Sequence, residues 1–186
     1  MVNGNLSKVI YLGAIIFVLT GCAIPVKQEA PEVKEEVTVN VKNAIVIDPG
    51  NESLLTAIQR KGFSASISAQ GVVVNIPGLF FEFGSSELVF KAREKIRSLA
   101  SLVQSGFVAT RKLAVVGHTD SVGDQNFNMS LSRTRAERVM DELIFSGIRP
   151  DRINLSWFGE TQPIASNKNS SGRARNRRVE FIVLNN

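Results

Sequence analysis

Asp120 and Arg135 are the residues whose types and placement suggest the most specific chemistry. Asp120 follows a buried-looking apolar run, Lys112 to Val116, and opens a polar loop to Asn128. Arg135 falls about one turn into the helix expected next. In a strand–loop–helix unit, the strand's C-terminal end and the helix's first turn face one crevice. An anion and a cation therefore reach the rim of the same pocket. Such a pair suits a ligand with an ammonium and a carboxylate on one carbon. The aspartate accepts the ammonium protons, and the guanidinium fork grips the carboxylate. N–H groups at the helix N-terminus add donors for that carboxylate. The plainer alternative is an ion pair that fixes the loop, worth about 0–1 kcal/mol if exposed.

Other chemistries lack their parts. His118 is the one histidine and Cys22 the one cysteine, so neither an intramolecular disulfide nor a Cys/His zinc site can form. His118 is expected to be structural. The chain has no glycine-rich phosphate loop, and no cofactor is expected. Glu82 and Asp120 could be imagined as a hydrolytic carboxylate pair. Arg135 beside Asp120 would hold its pKa down and leave a poor general acid, and no nucleophile has a base. Binding is therefore expected, and catalysis is not.

The positioning elements follow from apolar spacing. Glu52 to Lys61 reads as a short helix stopped by Gly62. Phe63 to Ser68 and Val72 to Ile76 read as strands joined by an Ala-Gln-Gly turn. Leu88, Ala92, Ile96, Leu99 and Val103 mark one helix face, with Ser85 or Ser86 as its cap. A second long helix carries Leu131, Ala136, Val139 and Leu143 and stops at Gly147; Asn128 is a candidate cap for it. Strands follow at Ile153 to Phe158 and Val179 to Leu184, separated by a polar stretch. The result is an α/β two-layer sandwich, βαβαββ after the first hairpin, with helices on one face of a mixed sheet. Gly117, Gly123, Gly159 and Gly172 are assigned to turns. Trp157, Phe80 and Phe83 are assigned mostly to the core, and Phe81 to the pocket lip.

The N-terminus supplies an address. Lys8 precedes an apolar run, Ile10 to Leu19, and then Leu19-Thr20-Gly21-Cys22. This is the pattern of a secretory signal peptide over 1–21. Residues 22–43 are rich in Pro, Glu, Lys and Val and read as a flexible tether. Residues 44–70 then lead into a domain over 71–186. An apolar fraction of 44% is enough for a packed core. The net charge of +5 would suit nucleic acid, an anionic polymer or a membrane surface. The export signal, not the charge, argues against nucleic acid.

The dense pattern Gly117-His118-Thr119-Asp120, then Asn128, Leu131-Ser132, Arg135-Ala136, Val139 and Leu143, and finally Asn176-Arg177-Arg178-Val179-Glu180, resembles the OmpA-like peptidoglycan-binding domain. The resemblance covers about Val72 to Val183. It implies peptidoglycan as partner, bound through the free end of meso-diaminopimelate in its stem peptides. Asp120 and Arg135 match the paired charges of that family, Asn128 the asparagine that opens the signature, and Arg177 the first arginine of the tail motif. Phe81, Glu82 and Gly84 fall in the loop of the facing wall. Glu82 stands where the family more usually has Asp, which leaves its role open between ligand contact and loop cap. The four residues ending at Cys22 resemble a bacterial lipobox, which implies lipidation of Cys22, palmitate among the acyl chains, and a membrane anchor. Ala23 after it favours the periplasmic face of the outer membrane. The implied function is a tether between outer membrane and cell wall. Two alternatives stand beside it: a wall-anchored subunit of a secretion, motility or efflux complex with envelope proteins as partners, and, disfavoured, a wall hydrolase.

Overall fold

The computed structural model describes residues 48–82 and 84–185. The expected signal peptide, the lipidation site at Cys22, the tether and Phe83 lie outside the described residues.

The first helix, α1 (Pro49–Arg60), is capped by the Asp48 carboxylate, which accepts from Gly50 N at 2.9 Å. Glu52 in its first turn and Arg60 in its last complement the helix dipole. Two strands, β1 (Ser64–Ser68) and β2 (Gly71–Pro77), follow as a hairpin in which Ser68 pairs with Gly71, so the turn is Ala69-Gln70 alone. A 3-10 turn (Gly78–Phe80) leads through a loop to α2 (Phe90–Val103). Then come β3 (Leu113–His118), α3 (Gln125–Phe145), β4 (Ile153–Trp157), α4 (Ser170–Asn176) and β5 (Arg178–Leu184).

The five strands lie in the order β1-β2-β5-β3-β4. Only β3 and β4 run parallel among the paired strands, so the sheet is mixed as expected. Rows of partners cross it. Val72, Val183, Leu113 and Ile153 form one row, and Val74, Phe181, Val115 and Leu155 the next. In β2, β5 and β3 these side chains are wholly buried beneath Ile58, Ile96, Leu99, Val139 and Leu143 of the helices. The alternate positions Val73, Asn75 and Glu180 are only half-buried, so the helices cover one face.

The third row, Ile76, Val179, Gly117 and Trp157, positions the functional end of the domain. A Cβ at Gly117 would lie 2.0 Å from the Ser132 carbonyl oxygen. Gly117 was assigned to a turn; it instead lies within β3, where only a hydrogen side chain lets the α3 backbone approach the strand. Gly172 is a second correction. It lies within α4, and a Cβ there would meet the Ser166 carbonyl oxygen at 1.9 Å. Gly123 and Gly159 do take positive φ, 103° and 53°, as turn residues.

Three further expectations are corrected. The cap of α2 is Val89, with no side-chain hydrogen bond; Ser85 Oγ instead accepts from Glu87 N at 3.0 Å, closing a local turn. The polar stretch before β5 contains α4, capped by Asn169 Oδ1 on Gly172 N at 2.7 Å. Trp157 is half-buried on edge strand β4, beneath Arg133 with the guanidinium 4.9 Å from the ring. The segment assigned as a lead-in also joins the domain proper: α1 places Leu54 and Ile58 in the core, and β1 is a strand of the sheet. Buried Arg111 fastens α1 by donating to Asp48 and, at 2.6 Å, to Asn51 Oδ1.

Gly117→Ala is expected to destabilise the domain by at least about 1–3 kcal/mol, the usual cost of overpacking a filled core. Thermal or urea unfolding checks this, and an unchanged midpoint would contradict the close approach of α3.

Candidate functional site

The end of β3 opens onto a cleft closed by the β3–α3 loop, the first turns of α3, α4 with its C-cap Arg177, and the loop after β2. Its floor begins at Thr119, whose backbone N–H donates to Gly159 O at 2.8 Å and ties two crossing loops together. Asp120 follows, 7% exposed. Its Oδ1 accepts from Val122 N at 3.2 Å, and its Oδ2 accepts from Arg177 Nη1 at 2.6 Å. Asn128, in the first turn of α3, holds the loop from within. Its amide nitrogen lies 3.3 Å from Asp120 O, 3.2 Å from Val122 O and 2.6 Å from Glu160 Oε2.

Asn128 is therefore not the cap of α3. Asp124 is: its Oδ1 accepts from Asn126 N at 2.8 Å and Phe127 N at 3.3 Å. This also corrects the expectation that α3's first amides serve a ligand, because a side chain of the protein already occupies them.

Arg135 sits in the third turn of α3, deeper than expected, and is 6% exposed. Its Nε and Nη2 donate to Ser85 O at 3.1 and 3.0 Å, and its guanidinium lies 5.1 Å from the Phe81 ring centroid. The side chain thus fastens the facing wall to α3. That wall is a tight loop: Phe81 bridges Leu88, Glu82 N donates to Glu87 O, and Ser85 N donates to Glu82 O. Gly84 takes φ +67° there, a conformation that side-chain-bearing residues seldom adopt. Glu82 is exposed, and its carboxylate makes no hydrogen bond or ion pair among the described residues. Its main chain, not its side chain, closes the loop.

Asp120 and Arg135, expected as direct neighbours, are not in contact as an ion pair. Asp120 takes Arg177, and Arg135 takes a carbonyl and an aromatic face. Both nevertheless line one cavity of about 590 Å³. Asn128, Arg177, Phe81, Glu82 and Gly84 line it too, so all seven site residues expected within the domain meet there. Burial lowers the pKa of Arg135, as does the like charge of Arg177; the charge of Asp120 opposes both. An arginine nonetheless stays protonated in proteins, so this cation has lost hydration without gaining a carboxylate partner.

The alternation at β5 separates the two arginines as expected. Arg177 faces the cleft, while Arg178, 4% exposed, donates to Glu180 Oε1 at 2.8 Å and reaches the Asn176 and Gln162 carbonyls. His118 is buried beneath the site, stacked on Phe158 at 5.9 Å, and neither ring nitrogen has a hydrogen-bond partner among the described residues.

Sequence reasoning missed several cavity residues: Arg173 and the exposed apolar side chains Leu79, Val122 and Phe127. Arg173 stands four before Arg177, one helical turn away, but that spacing means nothing until the stretch is known to be helical. Asp124 was legible as a capping residue three positions before Phe127.

Fold and cleft together define a two-layer α/β binding domain with a charged pocket at the end of β3. Residues 80–177 match the OmpA family. Outer membrane protein A of Bordetella avium is 39% identical over 136 residues, covering 73% of this chain and 68% of that protein. The chain belongs to the OmpA family. Peptidoglycan-associated lipoprotein of Pseudomonas aeruginosa is 30% identical over 116 residues, covering 62% of this chain and 67% of that one. Among solved structures, the cell wall anchor of the T6SS from Pseudomonas aeruginosa superposes with a TM-score of 0.61 at 26% identity, covering 72% of this chain and 96% of that one.

Burial, reinforced by Arg178 and opposed by Glu180, lowers His118 from 6.5 to about 4. The folded state holds the ring neutral, whereas the unfolded chain protonates it through the ordinary range. Its contribution is therefore full above pH 6.5 and is lost as pH falls toward about 4, at about 1.4 kcal/mol per unit. Urea unfolding across that window is expected to show falling stability, with a shallower fall in His118→Phe, which keeps a ring against Phe158. Equal slopes for the two proteins would refute the assignment.

Proposed function

We propose that this chain tethers the outer membrane to the cell wall without covalent attachment, its domain binding peptidoglycan through the free end of meso-diaminopimelate. The observation that carries the reading is the convergence of Asp120 and Arg135 on one cavity that a small ligand can enter. The diaminopimelate ammonium donates to Asp120, whose carboxylate is held in place by Arg177 and by the Val122 amide. The carboxylate on the same carbon lies against Arg135 and replaces the hydration that burial removed from that guanidinium. Asn128 holds the Asp120 main chain, and Phe81, Glu82 and Gly84 form the opposing wall. No step of bond making or breaking is assigned to these groups.

Family membership supports the reading, as does the likeness to a peptidoglycan-associated lipoprotein and to a T6SS cell wall anchor. The latter also favours a second reading, in which the same domain anchors a larger envelope complex to the wall. Cross-linking in cells separates the two, since a lone tether yields no stable protein partner.

The membrane end of the proposal is lipidated Cys22, exposed by removal of residues 1–21, with residues 22–43 as the spacer. At roughly 3 Å per residue when fully extended, a spacer of that length reaches at most some tens of ångströms from the bilayer. Ala23 after Cys22 favours the outer membrane for that anchor.

In pull-downs with insoluble peptidoglycan, Asp120→Ala or Arg135→Ala is expected to remove most binding, about tenfold or more, while circular dichroism shows a folded domain. Undiminished binding by both variants would contradict the pocket. Cys22→Ser is expected to release the protein from the membrane fraction, and the wild-type mature chain is expected to carry acyl mass on Cys22. Membrane retention of an unacylated Cys22→Ser chain would remove the anchor from the proposal.

A further inference from the structure

We infer that the cavity has a second anion subsite at Arg173, which takes the free α-carboxylate of the γ-linked glutamyl residue preceding diaminopimelate in the stem peptide. This rests on the diaminopimelate reading above and extends it from one residue of the ligand to two.

Three observations carry it. The first is size. A cavity of about 590 Å³ falls in the range of sites that enclose drug-sized ligands, far more than the head of one amino acid requires. The second is charge. Arg135, Arg173 and Arg177 line the cavity against the carboxylates of Asp120 and Glu82, leaving one cation in excess. Asp120 is committed to Arg177, and Arg135 is assigned to the zwitterion's carboxylate. Arg173 remains. It forms no ion pair among the described residues, and its guanidinium is steadied by donation from Nη1 to Asn167 O at 3.0 Å. A zwitterionic head is neutral and does not match that excess, whereas a stem fragment whose glutamyl amine is acylated adds one uncompensated carboxylate and does.

The third is the lip. Leu79, Val122 and Phe127 line the same cavity while 75%, 62% and 57% exposed. Large apolar side chains grouped in water at a pocket mouth mark a ligand groove that continues beyond its charged floor. Methylene groups of the glutamyl and diaminopimelate side chains provide the matching apolar surface.

Arg173 is well suited to this role. It belongs to α4, one turn before Arg177, and its backbone carbonyl accepts from Arg177 N at 3.1 Å. The two guanidinium stems therefore rise from one short rigid segment. Arg177 braces the aspartate that meets the ammonium, and Arg173 lies on the same wall, one helical turn along the chain.

The test is calorimetric titration of the folded domain with free meso-diaminopimelate, with N-acetyl-γ-D-glutamyl-diaminopimelate, and with the same acetylated dipeptide amidated at the glutamyl α-carboxylate. Wild type is expected to bind the dipeptide about tenfold or more tightly than the free amino acid, and amidation to remove that advantage. Arg173→Gln is expected to remove the advantage while leaving affinity for free diaminopimelate unchanged, and Arg173→Lys to restore part of it. The inference is overturned if Arg173→Gln keeps the full preference for the dipeptide, if it weakens both ligands equally, or if amidation has no effect. Failure of the underlying reading looks different: Asp120→Ala and Arg135→Ala would then leave all three affinities unchanged.

Discussion

How near α3 can come to β3 governs the rest of this domain. At Gly117 the strand carries no side chain, and the Ser132 carbonyl of the helix fills that space. Ser132 then reaches across the gap, its Oγ accepting from Gly159 N at 3.0 Å. One short stretch of helix is thereby locked to the ends of both parallel strands. Asn128 lies one turn before the lock and Arg135 just after it, so the loop-holding amide and the buried cation inherit their positions from a backbone contact. Close-packed interiors transmit such constraints with little slack.

The electrostatics of the cleft follow from that placement. Burying a guanidinium without a carboxylate partner is costly, and Arg135 offsets only part of the loss through Ser85 O and the Phe81 face. The neighbouring Asp120 is already engaged by Arg177. A ligand carboxylate would improve the surroundings of Arg135, and a ligand ammonium would add a second cation beside Asp120, which lines the cavity. On the proposed reading, the resting ion pair and a bound zwitterion would share Asp120. The plainer alternative of a structural pair is realised, but between Asp120 and Arg177 instead of Asp120 and Arg135. His118 extends the same economy of charge beneath the site, where the ring is kept neutral beside Arg178 and Glu180.

Much of this was legible in the linear chain because it depends on local spacing. Apolar residues at three- and four-residue steps marked α2 and α3, alternation marked β1, a β-branched apolar run marked β2, and Gly62 and Gly147 stopped helices where they were expected to. The spaced pattern from Gly117 to Glu180 named the family and four of the seven residues that meet in the cavity, and the loop after β2 supplied Phe81, Glu82 and Gly84. What failed depended on contacts that apolar spacing does not record, some across the fold, as between Gly117 and Ser132, and some only a few residues along, as between Gly172 and Ser166. Gly117 and Gly172 looked like turn residues because nothing local records that another backbone passes over them. α4 looked like loop because seven polar and small residues have no apolar period, and it is held as a helix by its Asn169 cap and by Gly172's fit against Ser166.

The sequence by itself determined the order of the elements other than α4, the apolar face of the long helices and most of the charged residues available to a ligand, since periodicity and residue type are properties of the chain alone. Only the tertiary structure decided which charge meets which. Arg135 and Arg177 are 42 positions apart in the chain and compete for one aspartate. The outcome depends on side-chain reach and burial, here settled by how closely two backbones approach at a residue without a side chain.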